Sequence, residues 1–212
     1  MERTYIQKSE RNAAAIILFL AACLAALLTG IMCWRVDAAV QADMQAHLAE
    51  EVLRFHVLAN SDSDEDQALK LKVRDAVLEF LEENMPEMED AADTKAWIRT
   101  NIDAIEEISR ETVDAEGAEY PVSAAVTTCW FPDKSYGDVT FPAGNYEALR
   151  IEIGAAEGHN WWCVLYPGLC FLDTMNAVVP EEGKQKLKNV LTEEEYSRVT
   201  ATSDFKIGWF FW

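Results

Sequence analysis

Residues 53–77 read "LRFHVLANSDSDEDQALKLKVRDAV" and contain the clearest change of sequence pattern in the chain. Its first six residues alternate, with Leu53, Phe55 and Val57 on one face of an extended chain. Such alternation is typical of a β-strand. The Ser- and Asp-rich residues that come next are typical of a helix start. The stretch therefore predicts a strand that passes directly into a helix.

The helix predicted after this strand ends near Asn84. Ser and Asp side chains cap helices because their oxygens accept backbone N–H bonds, so any residue of 61–64 can be the N-cap. Apolar residues then recur at helical spacing along one face. They are Leu69, Val73, Ala76, Val77 and Phe80.

The remaining chain alternates less regularly but is mostly strand-like. A second helix is predicted over residues 94–115, with Gly117 as its C-terminal stop. Strands are predicted over residues 122–131, 147–153 and 161–166, with a short one inside "SYGDVTFPAGN". A helix near residues 192–196 begins at a capping box, Thr192 and Glu195, and residues 197–212 are predicted as a closing strand. This order predicts an α+β fold, a mostly antiparallel sheet with helices packed on one face.

The N-terminal part carries a 22-residue run without charge, Ala13 to Trp34. As a helix it would span about 33 Å, enough to cross a bilayer core. Three basic residues precede it, which places the N-terminus inside the cell. Four segments are therefore expected: a cytoplasmic N-terminus (1–12), a transmembrane or signal-anchor helix (13–34), a juxtamembrane stalk (35–52) and an extracytoplasmic signalling domain (53–212). Cleavage after Ala38 or Ala42 remains an open alternative to anchoring.

Charge is distributed unevenly between these segments. The net charge of the chain is −19, although its first 34 residues carry three basic and two acidic side chains. Nearly all of the negative charge therefore belongs to the segments that follow the apolar run. Binding to phosphates depends on basic residues, so nucleic acid and anionic lipid headgroups are excluded as ligands of this domain.

Metal and cofactor motifs are absent from the sequence. The alternating acids Asp62, Asp64 and Asp66 resemble a calcium loop, but Gln67 and Val73 occupy the positions where an EF-hand needs glycine and glutamate. Helix capping explains these acids better. The chain contains no H-E-x-x-H, G-x-S-x-G or P-loop pattern. We therefore expect no metal, no cofactor and no catalytic residues.

One enzymatic alternative stays open. On an extended strand Cys163 and His159 lie about 13 Å apart, too far to act as a nucleophile and its base. His56, brought from elsewhere in the fold, is the remaining partner for Cys163. An exported hydrolase of cell-wall peptidoglycan, using His56 or Cys163, is therefore the alternative function.

Polar side chains surround the predicted strand-to-helix junction. Asp66, Lys70 and Arg74 follow one another at four-residue spacing and share one helix face. A solvated, salt-bridged face explains this series, but it does not explain the polar residues that precede it. A binding surface is the other interpretation. The residues concerned are His56, Asn60, Asp62, Asp66, Gln67, Lys70, Arg74 and Asp75.

The segment "NWWCVLYPGLC", residues 160–170, concentrates aromatic and sulfur surface. Trp161 and Trp162 point to opposite faces of any strand, so one can be core while the other covers a second surface. A tight hairpin at Pro167 would hold Cys163 and Cys170 about 7 Å or more apart, which is marginal for a disulfide. A disulfide thus requires a looser loop, and two buried free thiols are its rival.

Three segments resemble the stage II sporulation protein R family. They are "RFHVLANSDSDEDQALKLKVRDAV" (residues 54–77), "FPAGNYEALRIEIG" (141–154) and "GHNWWCVLYPGLCFLD" (158–173). The resemblance implies a signalling protein rather than an enzyme. Such a protein is exported from the forespore of endospore-forming bacteria into the space between the forespore and mother-cell membranes. There it would activate a membrane-embedded aspartic protease that processes the precursor of a mother-cell sigma factor.

The resemblance also supplies a set of candidate partner-binding residues, without telling which of them touch the partner. Arg74 and whichever tryptophan faces outward are the expected anchors, since Arg and Trp dominate many interfaces. The full set is His56, Asn60, Ser61, Asp62, Asp66, Gln67, Lys70, Arg74, Asp75, Pro142, Ala143, Gly144, Tyr146, Arg150, Asn160, Trp161 and Trp162, with Cys163 and Cys170 as a possible disulfide.

Overall fold

The computed structural model describes residues 2–171, 179 and 181–201. The chain divides into two compact units, residues 1–44 and residues 45–212. Helix α1 (Glu2–Glu51) begins in the first unit, and its large apolar side chains between Ile16 and Val40 are exposed. This helix is long and apolar enough to cross a membrane. Its exposed apolar surface therefore fits a membrane anchor or signal helix.

The second unit is built on a four-stranded sheet in the order β2-β5-β1-β6. Its strands are β1 (Leu53–Leu58), β2 (Val122–Phe131), β5 (Gly144–Ile153) and β6 (Asn160–Tyr166). β1 pairs in parallel with β5 and antiparallel with β6, and β2 pairs antiparallel with β5. Between β2 and β5 lies a small hairpin of β3 (Lys134–Tyr136) and β4 (Val139–Phe141). Antiparallel pairing therefore predominates, as the sequence predicts.

Three helices cover the front face of the sheet, defined as the face that carries Phe55 and Val57. They are α2 (Asp64–Asn84), α3 (Ala91–Thr100) and α4 (Ile102–Ala115). Phe55 and Val57 are fully buried in the core between these helices and the sheet. Burial of such side chains contributes about 1.5 to 3 kcal/mol each. The predicted α+β fold with a mostly antiparallel sheet is confirmed.

The rear face, which carries Arg54 and His56, is also covered in part. The end of α1 contributes the fully buried Leu48 and Val52 to this second core. The β3–β4 hairpin, α5 (Glu181–Val190) and α6 (Glu193–Ala201) supply most of the remaining contacts. β1 is consequently buried along all six residues, because both of its faces are packed.

Several element boundaries differ from the sequence predictions. The helix predicted over residues 94–115 is two helices that meet at Asn101. The side chain of Asn101 donates to the backbone oxygen of Trp97 at 2.9 Å, a local bond that competes with helix continuation. Residues 197–201 belong to α6, so the closing strand is wrong there, and residues 202–212 lie outside the described residues. α5 was not predicted, because its sequence is mostly charged and offers few apolar positions.

Candidate partner-binding surface

The three motif segments meet on three adjacent strands. His56 of β1 pairs with Arg150 of β5 on one side and with Trp162 of β6 on the other. Arg150 pairs in turn with Ala125 of β2. Because directly paired residues point to the same face of a sheet, these four side chains form one row on the rear face. We call Ala125, Arg150, His56 and Trp162 the cross-strand row.

His56 lies in the middle of the row and is 3 % exposed. Its ring stacks on Trp162, with the ring centres 5.1 Å apart, and contacts Phe131 at 5.2 Å. Neither ring nitrogen has a hydrogen-bond partner. Burial, together with the positive charges of Arg150 and Arg54, lowers the pKa of His56 to about 4. The imidazole is therefore neutral at physiological pH.

Arg54 lies two residues before His56, and it was not among the predicted site residues. It is fully buried, yet its Nε donates to the backbone oxygen of Cys163 at 3.2 Å and its Nη2 to the Tyr136 hydroxyl at 3.1 Å. Its guanidinium also lies over four aromatic rings, as close as 4.4 Å to the Phe131 ring centre. The only sequence feature that could have indicated a role for Arg54 is its position in a strand between apolar residues. The aromatic rings come from distant segments, so their convergence could not be foreseen.

The second motif, residues 141–154, contributes buried side chains to this aromatic cluster. Tyr146 is fully buried, and its hydroxyl donates to the backbone oxygen of Pro142 at 2.8 Å. Burial raises the pKa of Tyr146 to about 12. Gly144 adjoins the side chain of Gln45 so closely that a Cβ atom would collide with it. Pro142, Gly144 and Tyr146 therefore shape the β4–β5 connection.

The acids of the strand-to-helix junction are used for capping and internal bonds. The Ser63 side chain accepts from the backbone N–H of Asp66 at 3.1 Å and forms the N-cap of α2. The Asp66 carboxylate accepts from Ser61 at 2.5 Å and from Asn60 at 2.9 Å. These bonds, that from Ser61 foremost, lower the pKa of Asp66. The first part of the candidate set thus stabilises the start of α2.

The same junction is tied to the connection between β5 and β6. The Asn60 side chain accepts from the backbone N–H of Ala155 at 2.9 Å, and Lys70 donates to the backbone oxygen of His159 at 2.9 Å. Asp62 accepts from the backbone N–H of His159 at 2.6 Å. Gln67 donates to the backbone oxygen of Ser61, also at 2.9 Å. This network, which we call the junction network, joins the first motif to the third.

Two glycines allow the junction network to form. Gly154 adopts φ +61°, and a Cβ atom there would collide with the Asn60 side chain. A Cβ atom on Gly158 would collide with the backbone of Ser61. Glycine is required at both positions because the two chain segments approach each other so closely. The conformation of residues 154–159 therefore depends on the start of α2.

Arg74 and Trp161 lie together on the front side. The Arg74 guanidinium is 5.0 Å from the Trp161 ring centre, and that ring contacts Phe55 edge-on at 5.6 Å. Arg74 also pairs with Asp75, at 2.6 Å between Nη2 and Oδ1. Trp161 and Trp162 are both half-buried and point to opposite faces, as the alternation predicts. Each tryptophan therefore offers part of its ring to a different surface.

Cys163 and Cys170 form a disulfide. β6 does not continue into a tight hairpin but passes into a short 3-10 helix, Leu169–Phe171. This looser connection brings the two Cα atoms to 5.5 Å, within the range that a disulfide requires. Cys163 faces the front core while His56 faces the rear. The two residues thus do not form the nucleophile–base pair that the hydrolase alternative needs.

A metal site is not evident either. Within residues 2–171, 179 and 181–201, no group of three or more His, Cys, Asp or Glu side chains is arranged to hold a metal ion. What the motifs bring together is an aromatic and basic rear face, a cation–π pair on the front, and a network that connects them. Such side chains suit contact with another protein.

Comparison with known proteins shows the family of the chain. No solved structure matches the fold. A family model described as "Stage II sporulation protein R (spore_II_R)" matches residues 49–176. The stage II sporulation protein R of Bacillus subtilis (strain 168) is 40% identical over 159 residues, which cover 74% of this chain and 70% of that protein. The matched region contains the cross-strand row and the junction network, and the chain belongs to the stage II sporulation protein R family.

Proposed function

We propose that this chain is an exported signalling protein of endospore formation. It activates a membrane-embedded aspartic protease, and the protease then processes the precursor of a mother-cell sigma factor. In this proposal residues 1–12 are cytoplasmic, 13–34 form the membrane or signal helix, 35–52 form the stalk and 53–212 form the signalling domain. The domain works in the space between the forespore and mother-cell membranes.

Two general observations support the proposal. The chain belongs to a family named for a stage of sporulation. It also begins with a helix that can cross a membrane, followed by a domain with almost all of the negative charge. An acidic domain beyond a membrane is suited to binding another protein rather than nucleic acid.

The observation that carries the proposal is the meeting of the three motifs around β6. The junction network holds Asn60, Ser61 and Asp66 in internal bonds, so these residues would set the shape of the surface. Arg74 and Trp161 retain partly exposed surface, and the Arg74 guanidinium lies 5.0 Å from the Trp161 ring centre. A paired arginine and tryptophan is a typical interface anchor. We therefore propose Arg74 and Trp161 as the front contact with the protease.

The test is to replace Arg74 or Trp161 with Ala in the full chain. The chain, the protease and the sigma-factor precursor are co-expressed in vegetative bacterial cells, and the initial rate of precursor cleavage is measured. Truncating an anchor residue costs about 2 kcal/mol or more, so each variant should slow cleavage on the order of 30-fold. Trp130 and Arg110 provide matched controls, since both are exposed and lie outside the motifs.

Trp130→Ala and Arg110→Ala should leave the cleavage rate unchanged. Normal cleavage with both Arg74→Ala and Trp161→Ala would remove this contact from the proposal. Cleavage that does not depend on the chain at all would remove the proposed activation itself. Incubation of the full chain with peptidoglycan addresses the hydrolase alternative, which requires released fragments.

A further inference from the structure

The half of the rear face that holds the cross-strand row is only partly covered. Ala125 is exposed, and Trp162 is half-buried. The side chains of Arg150 and Glu152 are each 36 % exposed. The other half of this face, around Arg54, is buried under the aromatic cluster. The row is therefore open on β2, β5 and β6, and it is closed on β1, where Trp162 and Phe131 cover His56.

Unpaired buried nitrogen atoms lie in the cross-strand row and directly beside it. Among the residues that the structure describes, the buried side-chain nitrogen and oxygen atoms without a hydrogen-bond partner belong to three residues, Arg54, His56 and Arg150. All three point to the rear face, because Arg54 and His56 are two residues apart on β1 and Arg150 pairs with His56. A buried donor without a partner costs about 1 to 3 kcal/mol. These unpaired atoms lie on one face of β1 and β5, and this face therefore has too few hydrogen-bond acceptors for its arginine donors.

One carboxylate already reaches the cross-strand row. Glu152 lies two residues along β5 from Arg150 and forms an ion pair with its Nη2. The Ser123 hydroxyl donates to the other oxygen of Glu152 at a long 3.4 Å. An exposed ion pair of this kind contributes little, about 1 kcal/mol or less, so another carboxylate can replace it. Glu152 thus shows that the guanidinium of Arg150 binds a carboxylate at this position.

We propose that the cross-strand row is a docking site for an acidic segment of the partner protein. An Asp or Glu side chain of that segment takes the place of Glu152 on Arg150, and the neighbouring chain packs on Trp162. The proposal rests on the proposed function for the identity of the partner, the extracytoplasmic part of the protease. Charge complementarity supports this occupant, because Arg150 offers a bidentate donor for a carboxylate.

Specificity follows from the rest of the domain. The chain carries a net charge of −19, so an acidic segment is repelled by most of the surface. A single basic and aromatic row would then fix where and in which register the segment binds. A free small anion would not use Trp162, whose ring supplies apolar contact area.

The first test compares two neutral substitutions with opposite expected effects, in the full chain co-expressed with the protease and the sigma-factor precursor. Arg150→Gln removes the guanidinium that donates to the carboxylate and should slow the initial rate of cleavage roughly 10- to 100-fold, the equivalent of a charge-assisted hydrogen bond. Glu152→Gln removes the competing carboxylate and should speed cleavage on the order of threefold when the chain is limiting. Misfolding cannot produce that increase.

The second test is rescue by charge reversal. Arg150→Glu should abolish cleavage, and one change of Asp or Glu to Arg on the outer segments of the protease should restore it. Every acidic position of those segments is tested in turn. A photo-crosslinking residue at Ala125 should also join the chain to the protease, whereas the same residue at Trp130 should not.

The proposal is overturned if Glu152→Gln slows cleavage, or if no acidic position of the protease rescues Arg150→Glu. These results are distinct from failure of the proposed function. If Arg74→Ala stops cleavage while the Arg150 and Glu152 variants behave like the parent, the activation stands and the acidic docking site falls. If cleavage proceeds without the chain, both fall.

Discussion

His56 shows how a single side chain can report on the packing of the rear face. Its neutral ring is pressed between Trp162 and Phe131, with Arg54 and Arg150 as charged neighbours. Protonation would place a third positive charge among two arginines in a buried setting. The folded domain therefore resists protonation of His56, whereas the unfolded chain does not.

We predict a loss of stability on mild acidification. Because the pKa of His56 is lowered from 6.5 to about 4, the unfolded state binds more protons between these values. His56 therefore stabilises the fold fully above pH 6.5, and this contribution declines as the pH falls to about 4. The free energy of unfolding should drop by about 3 kcal/mol over that interval. Urea unfolding of the full chain in detergent, followed by tryptophan fluorescence, measures it.

The variant His56→Gln serves as the reference for this measurement, since it should lose the decline between pH 6.5 and 4. His159→Gln should keep it, because His56 is unchanged there. Carboxylates with a lowered pKa, such as Asp66, lose their stabilisation at lower pH, from about 4 downward. An equal pH dependence in His56→Gln and the parent chain would contradict the assignment.

At the residue scale, sequence reasoning found the right residues more readily than their roles. Asn60, Asp62 and Asp66 were expected near a binding surface, and they are engaged in internal bonds across the chain. Asn60 and Asp62 accept from the backbone N–H groups of Ala155 and His159, which no local pattern connects to α2. Arg54 escaped notice for a similar reason, since its burial depends on aromatic residues far away in the chain.

At the scale of elements, the disulfide determines how β6 is joined to the chain that follows. Cys163 is buried in the front core, and Cys170 lies in the short 3-10 helix Leu169–Phe171. The bond closes a short loop with a sequence separation of seven residues. It therefore holds residues 166–171 against the same strand that carries Trp161 and Trp162.

We predict that the double variant Cys163→Ser, Cys170→Ser unfolds more easily than the parent. A loop of this size corresponds to about 2 to 3 kcal/mol of stabilisation in the chain-entropy account. Thermal unfolding of the detergent-solubilised full chain should show a lower Tm for the variant. A reductant should lower the Tm of the parent but not that of the variant.

The variant Cys129→Ser is the matched control, because Cys129 is a free thiol on β2. It should remain as sensitive to reductant as the parent. If reductant lowers the Tm of the double variant by as much as that of the parent, the disulfide is not the source of the stabilisation.

Individual elements were predictable where one periodicity dominates. Strict alternation identified β1 and β2, and a capping residue followed by helical spacing identified α2. Pairing was not predictable in the same way. The parallel neighbours β1 and β5 are separated in the chain by three helices, strand β2 and a hairpin, and only the packed structure fixes that β1 lies between β5 and β6. The break at Asn101 depends on one side-chain bond inside an otherwise continuous helical pattern.

At the scale of the whole molecule, a helix with an uncharged run of 22 residues precedes an acidic domain. The apolar side chains of the helix are exposed between Ile16 and Val40. Water is a poor solvent for such a surface and a bilayer is a good one. The disulfide of the second unit adds a chemical argument, since such bonds persist mainly outside the cytoplasm.

We predict that the disulfide forms only when residues 13–34 are present. In the full chain, thiol-specific alkylation should modify two more cysteines after reduction than before it. A chain that lacks residues 13–34 should stay in the cytoplasm, where thiols are kept reduced, and should show no such difference. It should also fail to support cleavage of the sigma-factor precursor.

The full chain with Cys163→Ser gives the baseline for this assay, because it cannot form the bond. An oxidised Cys163–Cys170 pair in the shortened chain would show that oxidation does not require the helix. Alkylation is read by mass spectrometry, which assigns the modified cysteines individually.

The place of β1 in the sheet has a consequence for the order of assembly. The central strand leaves the ribosome early, yet its Arg54 bonds to Cys163, 109 residues further along the chain. Contacts of such long range form slowly, since a large loop must close first. In the nascent protein, β1 therefore stays unpaired until its neighbours β5 and β6 have been synthesised. A chain that terminates before β5 and β6 leaves both edges of β1 unpaired. It also lacks Arg150, Trp161 and Trp162, so it should neither fold nor signal.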